Sequence, residues 1–209
     1  MSATATKPAT QVIAGPVRLS YLNVFKAREG LGGTPEFSVT LLIPKQPTKY
    51  CPDPASILKE INAAVKAAVE KKFGGTKPAG FSHPLKDGDE PDAEGNPKEE
   101  GYWFIRAKCK EEWPPVTVDG SGQVVTPQMG WKSGDWGRVS LSMYGYDQRG
   151  NKGVAAGLRA VQFLYVDDAL GSAQDPASVA AQFGTVADAQ KPSNGFTPAT
   201  EEYDPFADE

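Results

Sequence analysis

Most of the regular pattern in this chain is short alternation of apolar and polar residues, and only one stretch repeats at the helical period, which leaves few folds open. Val17-Arg18-Leu19-Ser20-Tyr21-Leu22-Asn23-Val24-Phe25 and Phe37-Ser38-Val39-Thr40-Leu41-Leu42-Ile43 read as two strands joined through Gly30, Gly32 and Gly33. Three further strand-like segments lie at 102–110, 138–146 and 158–166. A small hairpin is predicted at Val116-Thr117-Val118 and Gln123-Val124-Val125, turned at Asp119-Gly120-Ser121-Gly122. The helical stretch has Asp53 placed to cap it, Pro54 to start it, an apolar stripe of Ile57, Ile61, Val65, Ala68 and Val69, and Gly74 to end it after Lys71 and Lys72. Residues 84–100, rich in Pro, Gly, Asp and Glu, read as a long exposed loop. Five main strands with one lateral helix fit a small closed β-barrel, because closure removes the sheet edges that an open sheet would present.

Charge is divided unevenly along the chain. Residues 1–166 carry 21 Lys and Arg against 17 Asp and Glu, whereas residues 167–209 carry one Lys against nine Asp and Glu. The expected organisation is a flexible N-terminal arm at 1–14, a barrel domain at 15–170, a flexible linker at 171–200 and a disordered acidic tail at 201–209. The tail combines Glu201, Glu202, Asp204, Asp208 and Glu209 with two aromatics, Tyr203 and Phe206. A thirty-residue coil spans roughly 30 Å, against a radius of gyration of about 15 Å for a body of this size. Such a tail can reach back to its own domain or to a second copy, and its aromatics suit docking into a groove on a protein. A purely solubilising tail is the bland alternative.

The outward faces of two strands carry the most informative chemistry. On 102–110, Trp103, Ile105, Ala107 and Cys109 share one face, and Tyr102, Phe104, Arg106, Lys108 and Lys110 the other. The second set interleaves aromatics with cations, which suits stacking of bases beside tracking of phosphates. On 138–146, Val139, Leu141 and Met143 turn inward, while Arg138, Ser140, Ser142, Tyr144 and Tyr146 turn outward. Each aromatic taken singly could instead pack beneath the helix or a loop. The Gly-punctuated loop containing Trp131, Lys132 and Trp136 could wall a groove, with Trp131 expected to be the wetter tryptophan.

Catalytic readings find little support. Cys51 and Cys109 are the only cysteines and His83 the only histidine, so neither a disulfide framework, a zinc site nor a nucleophilic team is evident. Gly74-Gly75-Thr76-Lys77 lacks the spacing of a phosphate-binding loop. Tyr165-Val166-Asp167-Asp168 matches a polymerase carboxylate turn, but the chain is too short for that scaffold. The loop acids Asp87, Asp89, Glu90, Asp92 and Glu94 lack the EF-hand pattern. No metal and no cofactor is expected. No apolar run approaches a membrane span and the first ten residues lack signal-peptide order, so a soluble cytoplasmic protein without membrane contact is expected.

The run Gly134-Asp135-Trp136-Gly137-Arg138-Val139-Ser140-Leu141-Ser142-Met143-Tyr144-Gly145-Tyr146, followed by Lys152-Gly153-Val154-Ala155-Ala156-Gly157-Leu158-Arg159-Ala160-Val161-Gln162-Phe163, resembles the bacteriophage single-stranded-DNA-binding proteins of the OB-fold type with an acidic C-terminal tail. The tail departs from that pattern in placing Ala207-Asp208-Glu209 after Phe206. The resemblance implies a mainly β, OB-like five-stranded barrel that coats single strands in phage DNA replication and recombination, in the host cytoplasm. It also implies a tail that masks the groove and contacts replication proteins. The expected DNA-contacting residues are Arg106, Lys108, Lys110, Lys132 and Arg138 on phosphates and Tyr102, Phe104, Trp131, Tyr144 and Tyr146 on bases. A homodimer sharing tails is equally compatible with the charge pattern. The alternative from another class is an adaptor that uses barrel and tail only for protein contacts.

Overall fold

A computed structural model describes residues 8–30, 33–91, 98–148 and 150–170. The elements run β1 (Gln11–Glu29), β2 (Pro35–Pro44), α1 (Pro54–Phe73), β3 (Leu85–Asp87), β4 (Tyr102–Lys110), β5 (Val116–Val118), β6 (Trp136–Gln148) and β7 (Asn151–Tyr165). The sheet order is β3-β4-β2-β1-β6-β7-β5, and β4 also pairs with β7. That last pairing is parallel, Ala107 opposite Ala156 and Lys108 opposite Gly157, whereas the other contacts between barrel strands are antiparallel. It closes β1, β2, β4, β7 and β6 into a five-stranded barrel of the expected OB-like kind, with the helix inserted between the second and third barrel strands.

The alternation explains the interior. Leu19, Val39, Leu41, Ile43, Ile105, Ala107, Val139, Leu141, Val161 and Phe163 are essentially inaccessible and form one core with the buried stripe of α1. The helix ends are as the sequence specifies. The Asp53 side chain accepts the Ser56 amide at 3.1 Å, and Gly74 takes a left-handed conformation whose amide returns to the Glu70 carbonyl. Within this core Phe163 stacks with Phe25, 5.9 Å away centroid to centroid, and with Trp131, 4.8 Å away. Cys51 is buried beside the helix start, and desolvation pushes its thiol up to about 11, as expected of a structural thiol.

Several boundaries differ from the sequence reading. β1 begins at Gln11, opposite Ser142, so residues 11–14 belong to the barrel. The pairing to β6 slips between Ala14 and Val17, where Gly15 has φ of +142° and a Cβ would meet the Gly137 carbonyl oxygen at 2.6 Å; that break in alternation hides the strand's first half. β7 begins at Asn151: its Gly- and Ala-rich start has little strand propensity of its own but pairs with β6 from its first residue and with β4 at Ala156 and Gly157. The predicted loop 84–100 contains β3, whose three residues pair with β4. Lys45 fixes it by reaching both Asp87 and Asp89, and holds both carboxyls below their usual range. The small hairpin forms: the Asp119 carboxylate accepts the Ser121 and Gln123 amides, and Thr117 bonds Val125. The predicted linker, the acidic tail and the first seven residues of the N-terminal arm lie outside the described residues.

Candidate nucleic-acid interface

The outer face of the second and third barrel strands follows from the β2–β4 register. Leu42 opposes Phe104, Thr40 opposes Arg106, Ser38 opposes Lys108 and Glu36 opposes Lys110. Arg106, Lys108 and Lys110 therefore form a column of exposed cations along β4. β1 adds Ser20 beside Thr40 and Asn23 beside Ser38. On the other flank, barrel closure sets Lys108 against Gly157 of β7, which in turn opposes Ser142 of β6. The half-exposed Tyr144 ring lies beside Gly157, 3.6 Å from where a Cβ there would stand, and so over β7 on the side of the cations. β7 contributes only small outward residues here, Ala155 and Gly157.

Within the column the cations are not equivalent. Lys108 is paired with Glu36 at 3.0 Å. Arg106 lies over the Phe104 ring, 5.6 Å from its centroid. Near it, burial raises the Glu99 carboxyl above its usual range while the charge of Arg106 opposes the rise. Lys110 has no carboxylate partner among the described residues. The same holds for Arg138, which is exposed on the outer face of β6, and for Arg159, exposed where the β6–β7 register slips.

The structure separates the remaining sequence-predicted residues from this column. Phe104 points outward as alternation requires, but with β3 paired alongside it is only 6% exposed. Tyr102, opposite Pro44, is half-buried at the start of β4. Tyr146 is half-buried, with its hydroxyl 3.0 Å from where a Cβ on Gly153 would stand. Trp131 is more exposed than Trp136, yet it stacks on Phe163 and packs against the core. Lys132 is committed to the buried Asp135 at 3.0 Å and to the Asp167 carbonyl at 2.7 Å. Asp167, from the candidate polymerase turn, instead accepts the Trp136 indole N–H at 2.7 Å. Among the described residues no group of three His, Cys, Asp or Glu is placed to hold a metal, and no helix is long and apolar enough to cross a membrane.

One aromatic missing from the sequence-derived set is conspicuous. Trp113 is 73% exposed and follows directly on the cation strand, its amide bonded to the Lys110 carbonyl at 3.0 Å. The signal was present: a tryptophan three residues past a strand end and followed by Pro114-Pro115 has no alternating partner to bury it. Arg159 could not be found the same way, because the slip that exposes it is a property of the β6–β7 pairing.

Comparison with curated protein sequences gives no match. Among solved structures, the single-stranded DNA-binding protein from bacteriophage Enc34 in complex with ssDNA is similar at 24% identity and TM-score 0.64, covering 78% of this chain and 90% of that one. The same phage protein without DNA is similar at 23% identity and TM-score 0.62, covering 82% and 90%. A C-terminally truncated form aligns at 23% identity and TM-score 0.62, covering 77% and 88%. These likenesses carry the fold. A family description, "Enterobacter phage Enc34, ssDNA-binding protein", matches residues 10–192, a span that takes in every strand of the closed barrel from end to end, and on that match the chain belongs to this family.

Proposed function

We propose that the chain binds single-stranded DNA with little regard to sequence, as a non-enzymatic coating protein in the host cytoplasm during phage DNA replication and recombination. The observation that carries this reading is the column Arg106, Lys108 and Lys110 on the outer face of the second and third barrel strands, with Tyr144 two strands away across the closure seam. That face is where OB-type barrels take oligonucleotides. Cations that follow the backbone beside aromatic rings that accept any base give affinity without base readout. Membership of a family described by ssDNA binding, and a relative of the same fold solved with ssDNA, support the reading. Arg138 stays in the contact set and Trp113 joins it, while Phe104, Trp131 and Lys132 support the barrel that carries it.

The acidic residues Glu201, Glu202, Asp204, Asp208 and Glu209, with Tyr203 and Phe206, compete for the cationic column and serve as a handle for replication proteins; a tail exchanged between two copies would compete in the same way. Fluorescence anisotropy of labelled oligo-dT and a matched duplex, titrated with full-length protein and a form lacking 201–209 at two salt concentrations, tests both parts. Salt-sensitive preference for the single strand, tightened by the deletion, is the expected result. No binding by either form at low salt would overturn the nucleic-acid reading, and unchanged affinity on deletion would remove the competitor role.

A further inference from the structure

Tyr21 is the one non-glycine residue with positive φ among the described residues, at +47°, and its side chain is 63% exposed. Strict alternation from the buried Leu19 would have sent it into the core. Instead the β1–β2 register slips between Ser20 and Asn23, and the extra residue is turned outward. The conformation is held from both sides. Ser133 Oγ accepts the Leu22 amide at 3.1 Å, and Asn23 Nδ2 donates to the Tyr21 carbonyl at 3.2 Å. A ring-bearing residue is disfavoured in this backbone region, and such outliers persist where the surroundings impose them, commonly at ligand sites.

Its place in the sheet gives it a use. Tyr21 sits on β1 between the Ser20–Thr40–Arg106 row and the Asn23–Ser38–Lys108 row. Two strand spacings, roughly 10 Å, separate it from the cation column of β4. Tyr144 on β6 lies two strands away on the other flank, across β7. Between Tyr21 and the cations lie the small Ser20, Ser38 and Thr40, of which Ser20 and Thr40 are buried and Ser38 is half-buried, so no bulky side chain stands between the ring and the column. The geometry points to Tyr21 as a second base-stacking residue, so that the single strand crosses β1, β2 and β4 transversely with its backbone over Arg106 and Lys108 and a base stacked on Tyr21 at the β1 flank.

This inference rests on the reading of the face as a single-stranded-DNA site, and the test separates the two. Tyr21→Asn removes the ring but keeps a residue type that tolerates positive φ, while Tyr21→Phe keeps the ring. Both should melt cooperatively near the parent. Oligo-dT affinity should fall by about 5- to 150-fold in Tyr21→Asn, as loss of one base stack predicts, and should be kept in Tyr21→Phe. Parent-like binding by Tyr21→Asn, in a series where Lys108→Ala/Lys110→Ala binds weakly, overturns the role of Tyr21 alone. Parent-like binding by both variants overturns the site itself. Should Tyr21→Asn melt well below the parent, Tyr21→Gly, which adopts this backbone freely, takes its place with the same two outcomes.

Discussion

Neutralising Lys108 and Lys110 together tests the proposed interface at its centre, and the structure sets the size of the effect. Each lysine that meets a phosphate releases counterions, so each should contribute about 0.7 to the negative slope of log affinity against log salt on single strands. Between about 50 mM and about 200 mM salt, that is about 2.6-fold in affinity per lysine, and the double alanine variant should show a slope shallower by about 1.4. The two sites should differ in one respect. Lys110 has no carboxylate partner among the described residues, whereas Lys108 must give up Glu36, 3.0 Å away, to meet a phosphate. A pair with one member 57% exposed is worth no more than about 1 kcal/mol. Glu36→Gln should therefore tighten oligo-dT binding by at most about fivefold, converting that limit to an affinity ratio. Lys108→Ala, which leaves the Glu36 carboxylate unpaired near the DNA, should weaken binding more than Lys110→Ala at low salt. The assay is anisotropy of labelled oligo-dT across a salt series, with melting temperature as a check on the fold. A double variant that melts like the parent and keeps the parent salt slope would refute the assignment of the column to phosphates.

Further outcomes are expected from other parts of the molecule. Trp113→Ala should weaken oligo-dT binding by about 1–3 kcal/mol if a base stacks there, while its 73% exposure keeps the melting temperature almost unchanged; a variant that binds as the parent would remove Trp113 from the interface. Ile61→Ala should cost about 2–5 kcal/mol in denaturant unfolding, because Ile61 is fully inaccessible between α1 and the barrel; a loss under 1 kcal/mol, about the value for a surface site, would contradict the helix packing. Asp167 is held below its ordinary range, first by the Trp136 indole N–H and then by the Asp168 amide. Its stabilisation is therefore complete above the unfolded-state value and is lost as pH falls through the lower folded-state value. Asp167→Asn should accordingly show a smaller drop in melting temperature on acidification from about pH 5 to about pH 3 than the parent, and parallel curves would count against the indole bond.

How much was legible in advance depends on how local the cause is. The helix could be read to its ends because Asp53, Pro54 and Gly74 act within a turn of where they stand. The two-residue period likewise assigned Ile105 and Ala107 to the core and Arg106, Lys108 and Lys110 to the outside. β3 and the first half of β1 were missed, because a three-residue strand exists only by pairing with β4 and a slipped register breaks the pattern that would reveal it. Trp131 and Lys132 looked like groove residues because an aromatic beside a cation in a glycine-rich loop has that chemistry. Asp135 stands three residues from Lys132, but the other partners, Phe163 and Asp167, lie at the far end of β7.

By itself the sequence determined the class of fold, the one helix and the inward or outward sense of each regular strand, since side-chain period and end-capping are properties of neighbouring residues. Only the tertiary structure decided which outward residues are available. The parallel contact of β4 with β7 brings Lys108 and Tyr144 to one face across Gly157, although they are far apart in the chain. The pairing of β3 beside Phe104 accompanies that ring's burial, and the slip in β1 turns Tyr21 outward against the alternation. Each outcome depends on strand partners and register fixed when the barrel closes, and the period of a single strand does not encode them.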